Sequence, residues 1–178
     1  MSTEQQSVRF SGDSAAPPGA VYDLLADLRS HLEWAGTRQP SVFRLTSLAA
    51  PAGAATAGTR FTSTGSIPMS GLNWHDESVV TEATRASVFE FLTEAHAGDT
   101  VARYRHRYEI APAVAGSRVT YTMTQERIER PMWRLGLPGV RSMTWRFAIP
   151  MYAGRGFRNL LAAATVQAQS SAMAVARG

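Results

Sequence analysis

The sequence predicts an α+β fold: a strongly curved antiparallel β-sheet of about seven strands wrapped around a long C-terminal α-helix, with two short helices after strand 1. Three observations carry this. Residues 41–130 read as successive strands joined by short turns, which makes antiparallel hairpins. Residues 157–176 return to helical spacing with little charge, so that helix needs an apolar partner. A strand and a helix pair precede the hairpins, and one curved sheet gripping the last helix satisfies that order.

Each element follows from local pattern. A polar tail, residues 1–6, runs into a strand at roughly 7–12. In "APPGAVYDLLADLRSHLEW", Pro17 and Pro18 suit a helix start, where a missing N–H costs nothing. Val21, Leu24, Leu25, Leu28 and Leu32 form one apolar face, and the helix breaks into a second short one near Ser30 to Trp34. "SVFRLTSL" is followed by the small-residue loop "APAGAATAG", and "TRFTSTGSI" by a turn at Pro68–Gly71. "LNWHDESVVTEA" and "SVFEFLTEAH" meet through a turn near Thr84–Ala86. "DTVARYRHRYEIAP" and "SRVTYTMTQERI" meet through "AVAG". In the last helix, Phe157, Leu160, Leu161, Ala164, Ala168, Ser171 and Val175 share a face, and the small Ala162, Ala164 and Ala168 are expected to leave space between helix and sheet.

Composition narrows the chemistry. The 178 residues suit a single domain over 7–178, with 44% hydrophobic and 18% charged residues. Without cysteine there is no disulfide or thiolate chemistry. All 18 basic residues are arginine, so no lysine can form a Schiff base or a phosphate-loop contact. The net charge of +4 is mild, and the pI of 10.1 reflects arginine that does not titrate. The N-terminus shows no signal-peptide pattern and no run is long enough to span a membrane, so a soluble cytoplasmic protein is the expectation. No fixed-period repeat is present.

"PPGAVYDLLADLRSHLEWAG", "AGTRF", "WHDESVVTEATRASVFEF" and "RYRHRYEIAPAVAGSRVTYTMT" resemble the polyketide cyclase/dehydrase branch of the START-like, helix-grip (SRPBCC) superfamily. The likeness runs from about Val8 to the terminal helix. It rests on the start of the first helix around Pro18, Val21, Tyr22, Leu24 and Leu25, the Gly58–Thr59 turn, the Asp76–Glu77–Ser78 strand and the Gly116–Thr120 turn. It implies a large apolar cavity between sheet and terminal helix. The superfamily has no shared catalytic motif; its members include aromatase/cyclases, lipid and sterol carriers, and hormone receptors.

The stretch "RYRHRYEI" then reads as one strand seen from both faces. Tyr104, His106, Tyr108 and Ile110 point inward, and Arg103, Arg105, Arg107 and Glu109 outward. Arg85 and Arg118 lie near the arginine row, but Glu82, Glu90 and Glu109 interrupt it. No nucleic-acid motif accompanies it, so nucleic acid is not an expected partner. The same alternation places Val119, Tyr121, Met123 and Gln125, then Phe89, Phe91 and Thr93, then Trp74, Asp76, Ser78 and Val80, then Phe61 and Ser63, on the inner face. An aromatic-lined cavity with a few polar groups is the usual make-up of a small-molecule site.

Candidate ligand-binding residues are therefore Phe61, Trp74, Asp76, Phe89, Phe91, Tyr108, Tyr121, Met123, Gln125 and Trp145. If the protein is catalytic, His106 is the candidate acid or base, Tyr104 or Tyr121 a donor to an enolate, and Asp76 an orienting group or a base. The competing reading of His106 is a partly buried histidine bonded to a tyrosine or a carbonyl. His31, His75, His96 and His106 lack metal-ligand spacing, His31 and His96 read as surface residues, and neither metal nor cofactor is expected. Residues 129–157 interleave Met132, Trp133, Leu135, Met143, Trp145, Phe147 and Tyr152 with arginines, which suits core packing, a lid, or a docking element. Three functions stay open: a binder of an apolar metabolite, a cyclase/aromatase acting on a poly-β-keto chain, and a non-enzymatic interaction protein. A homodimer is also left open.

Overall fold

The computed structural model describes residues 6–37, 44–67, 72–129, 146–147 and 149–175. Residues 1–5 of the expected tail and the turn at Pro68–Gly71 lie outside them. The elements are β1 (Gln6–Ser14), α1 (Pro18–Ala26), a 3-10 turn (Leu28–Ser30), a π-helical segment (Leu32–Thr37), β2 (Arg44–Ala49), β3 (Arg60–Ile67), β4 (Leu72–Thr84), β5 (Val88–Ala97), β6 (Thr100–Ala113), β7 (Gly116–Glu129) and α2 (Ile149–Val175). Among the described residues the strands form one seven-stranded sheet in the order β1-β7-β6-β5-β4-β3-β2, every neighbouring pair antiparallel. From β1 the chain crosses through α1 to the far edge at β2. It then meanders back until β7 lands on β1. The expected helix-grip arrangement is present, with α2 packed against β1, α1 and the π-helical segment.

The helical break falls at Asp27, whose ψ of 85° leaves the helical region. Beyond it the chain turns Leu28, His31 and Trp34 into the core. His31 is thus not a surface residue: it is 4% exposed, its Nε2–H donates to the Leu25 carbonyl at 2.8 Å, and its ring lies 4.7 Å from that of Trp34. Sequence spacing held the signal, since His31 follows Leu24 by seven residues and Leu28 by three, on the same apolar stripe.

The terminal helix begins at Ile149, eight residues before the apolar spacing indicates. Pro150 sits in its first turn, where proline is tolerated, and Gly154 and Gly156 are buried rather than helix-ending. A Cβ on Gly154 would come 3.0 Å from the Phe10 ring, and one on Gly12 would come 2.8 Å from Leu161. The glycines therefore mark a close approach of α2 to β1. Phe157, Leu160 and Ala164 are buried against the sheet. The alanines do not all open space between helix and sheet: Ala162 is exposed, Ala164 is fully packed, and Ala168 lines a groove of about 530 Å³ between α2 and α1. The side chains of Ser171 and Val175 lie outside the described residues.

The convex face carries the arginine row as a network of ion pairs. Arg105 and Arg107 both hold Glu90, at 2.6 and 2.9 Å, and reach Glu126 and Glu82 at 2.6 Å. Burial alone would raise the Glu90 carboxyl. Hydrogen bonds from Thr81, Arg107 and Arg105 outweigh it and hold the group below its ordinary range. No helix among the described residues is long and apolar enough to cross a membrane.

Candidate ligand site on the concave face

Cross-strand register stacks the inner face into rungs. One runs Phe61, Ser78, Thr93, Tyr104, Gln125, Gln6. The next runs Val80, Phe91, His106, Met123, Val8, and the third runs Phe89, Tyr108, Tyr121, Phe10. Register shifts at Thr81 and Glu126 each insert one residue and keep these side chains in phase. The alternation expected for β3 to β7 therefore holds, including the phase of Trp74, Asp76, Ser78 and Val80.

The two ends of this face differ in packing. At one end Phe89, Tyr108, Ile110 and Val119 are buried in a cluster with Val21, Leu25, Phe157 and Leu160. At the other end Trp74, Asp76, Tyr104, His106 and Met123 point inward yet stay half-buried. Phe61, Phe91 and Gln125 are buried between them. Of the described candidate ligand-binding residues, Phe61, Phe89, Phe91, Tyr108 and Tyr121 belong to the buried core cluster, Gln125 is buried beside it, and Trp74, Asp76 and Met123 stay half-buried. Trp145, with Met132, Trp133, Leu135 and Met143, lies outside the described residues. Just before α2 Phe147 is exposed, and within α2 Tyr152 is half-buried.

His106 is stacked on Phe91 at 4.6 Å, and its Nδ1 lies 2.8 Å from the Tyr121 hydroxyl. Tyr121 is itself stacked on Tyr108 at 4.5 Å. Burial raises both the Tyr108 and the Tyr121 hydroxyl above their ordinary value. When Tyr121 donates to Nδ1, the proton of a neutral His106 lies on Nε2. Burial, with a smaller push from His31, lowers His106 to about 4. It is a neutral imidazole near neutral pH.

Asp76 is set differently. Its Oδ2 accepts from Ser63 Oγ at 3.1 Å and from the Trp74 indole N–H at 3.0 Å. Burial outweighs both bonds and raises the carboxyl to about 6. No hydrogen bond or ion pair links Asp76 to His106 among the described residues, so Asp76 does not orient that histidine. The indole can lie where it does because its cross-strand neighbour is Gly65. A Cβ there would fall 1.9 Å from the Trp74 ring. A glycine inside a strand signals this kind of close approach. Gly65→Ala is expected to push the indole off Asp76 and lower stability by about 1–3 kcal/mol. A lower melting temperature and a shifted Trp74 indole N–H resonance would show it; an unmoved resonance would contradict it.

Gln125 is 2% exposed and its Nε2 reaches the Tyr104 hydroxyl at 3.4 Å, a long contact. Burial raises the Tyr104 hydroxyl, and the charge of Asp76 adds to that. The Ser78 and Thr93 hydroxyls pair at 2.9 Å on the same rung. No group of three or more His, Asp or Glu side chains arranged to hold a metal ion occurs among the described residues.

The family model described as "Polyketide cyclase / dehydrase and lipid transport" matches residues 5–143. No curated protein matches the chain. Among solved structures, an aromatase/cyclase from Streptomyces sp. R1128 superposes with a TM-score of 0.65 at 12% identity, over 90% of this chain and 94% of that one. An uncharacterised protein from Rhizobium leguminosarum gives 0.65 at 11% identity, over 89% and 93%. A protein from Nitrosomonas europaea gives 0.63 at 14% identity, over 93% and 97%. At such identities the likeness concerns the fold.

Proposed function

Starting from the fact that the chain belongs to the polyketide cyclase/dehydrase and lipid transport family, we propose that it binds an apolar small molecule between the concave face of the sheet and α2. The observation that carries this reading is the contrast along the inner face. Hydrophobic and aromatic side chains that would complete a core at the Trp74 end instead remain half-buried around a few polar groups. That composition suits a ligand with an apolar body and one or two hydrogen-bonding groups. Trp74 and Met123 would line it, with Phe61 and Phe91 behind them.

Native mass spectrometry of freshly purified protein, with organic extraction of what co-purifies, tests the reading directly. One apolar molecule held per chain is the expected result, either carried through purification or taken from a panel of apolar fluorescent probes. A clean apo mass and no binding to any probe would reject it.

One observation favours a second, catalytic reading. A carboxyl held at about 6 inside an apolar cup is matched to proton transfer near neutral pH. In that case Asp76 removes a proton from a methylene between two carbonyls, and the electron pair moves onto the carbonyl oxygen as an enolate. His106 Nε2–H and the Tyr104 hydroxyl are then the donors for that oxygen. The enolate carbon attacks a second carbonyl of the same chain and closes a ring, and the alkoxide formed from that carbonyl takes the proton back from Asp76. A ring-closure rate that climbs with pH through about 6 and is lost in Asp76→Asn would support this reading over pure carriage.

A further inference from the structure

We infer that the concave face selects molecules that donate hydrogen bonds: neutral apolar ligands bearing hydroxyl or amide N–H groups, received by the side-chain oxygens of Gln125 and Gln6. The inference rests on the ligand-binding reading and gives that ligand a chemistry.

Gln6 and Gln125 are direct cross-strand neighbours at the end of the polar rung. The Oε1 atoms of both are buried and accept no hydrogen bond among the described residues. A buried acceptor without a donor is costly, and native interiors contain few of them. Two side by side, on the rung that also carries Tyr104, Thr93 and Ser78, are explained if a bound molecule supplies the donors. Asp76 points the same way, because its carboxylate is a further acceptor close enough to bias Tyr104.

Charge excludes the obvious alternatives. The described strand arginines lie on the convex face, and among the described strand residues the charged group on the concave face is Asp76. A free fatty acid would bring its carboxylate towards that like charge with no described cation to receive it. A ketone, ester or ether offers acceptors only and would leave both amide oxygens unpaired. A phenol, an enol or a hydroxylated chain brings the missing proton. For a molecule that passes from ketone to enol or phenol, the face would therefore favour the second form.

β-Naphthol and its methyl ether share one ring system and differ in the donor, so they separate these cases. Titration of the full-length protein, followed by calorimetry, is expected to show the naphthol binding about tenfold more tightly than the ether. In the double variant Gln6→Met/Gln125→Met the preference should fall to about one. The variant should also melt higher than wild type, because it removes both unpaired buried amide oxygens. Equal or tighter binding of the ether to wild type overturns the inference while leaving the ligand cup intact, as does a preference that survives in the double variant. Binding of neither compound removes the cup itself, and the inference with it. The wild-type pair decides the matter even if the double variant does not fold.

Discussion

Near neutral pH, Asp76→Asn should melt at a higher temperature than the wild-type protein while losing whatever proton chemistry the concave face performs. The gain comes from electrostatics rather than packing. Asp76 titrates at about 6 in the fold against an ordinary 3.8, so the folded state resists its ionisation. At pH above both values that resistance costs the fold on the order of 2–3 kcal/mol. Asparagine is close in size, keeps a carbonyl to accept from Ser63 and Trp74, and carries no charge. A net gain of about 1–2 kcal/mol is expected, which is a rise of several degrees for a chain of this length. The folded state binds the extra proton between 3.8 and about 6, so wild-type stability recovers as pH falls through that window and the advantage of the variant fades. Melting curves of both proteins across the window check it. A difference that stays constant with pH would mean that ionisation of Asp76 is not the cause. A residue that weakens its own fold in a half-buried cup is what a site held for function looks like, rather than one held for stability.

The parts of this fold that were legible in the sequence are those set by period. Alternation in β3 to β7 gave the inner and outer faces, and Phe61, Trp74, Phe91, His106 and Met123 fell on the concave side as the pattern requires. What was hidden depends on local departures from period. The break at Asp27 turns His31 inward, and reading that residue as exposed follows from treating the end of α1 as a helix end rather than a bend. The start of α2 was masked by Pro150, Gly154 and Gly156, which normally punctuate loops; here they mark a first turn and a close approach to Phe10. The ranking of His106 over Asp76 as an acid or base also could not come from residue type. Both side chains face inward, and what separates them is the partner each one finds. Tyr121 occupies His106 Nδ1, and burial holds that imidazole neutral. Asp76 keeps its charge in play near pH 6 because its two donors only partly offset burial.

Acid should unfold the protein far more readily than its carboxylates alone predict, and His31 and His106 are the reason. They flank Phe91, with ring separations of 6.2 and 4.6 Å, and burial lowers each to about 4 from an ordinary 6.5. Between those values the unfolded chain binds protons that the folded one refuses. The stability from keeping both rings neutral is complete above 6.5 and is lost as pH falls towards 4. At about pH 5 the loss is on the order of 2 kcal/mol for each ring. Other groups modify the effect without cancelling it: Asp27 eases protonation of His31, each imidazolium opposes the other, and Asp76 returns part of its own cost over the same range. His106→Gln retains an acceptor for the Tyr121 hydroxyl and removes one titrating ring, so its acid-unfolding midpoint should move to lower pH and its loss of stability per pH unit should fall. His31→Gln should behave alike, with some stability lost at every pH from the Leu25 contact. Circular dichroism followed from neutral pH down to about 4 reads both midpoints, and two variants that unfold at the wild-type pH would place the acid sensitivity elsewhere.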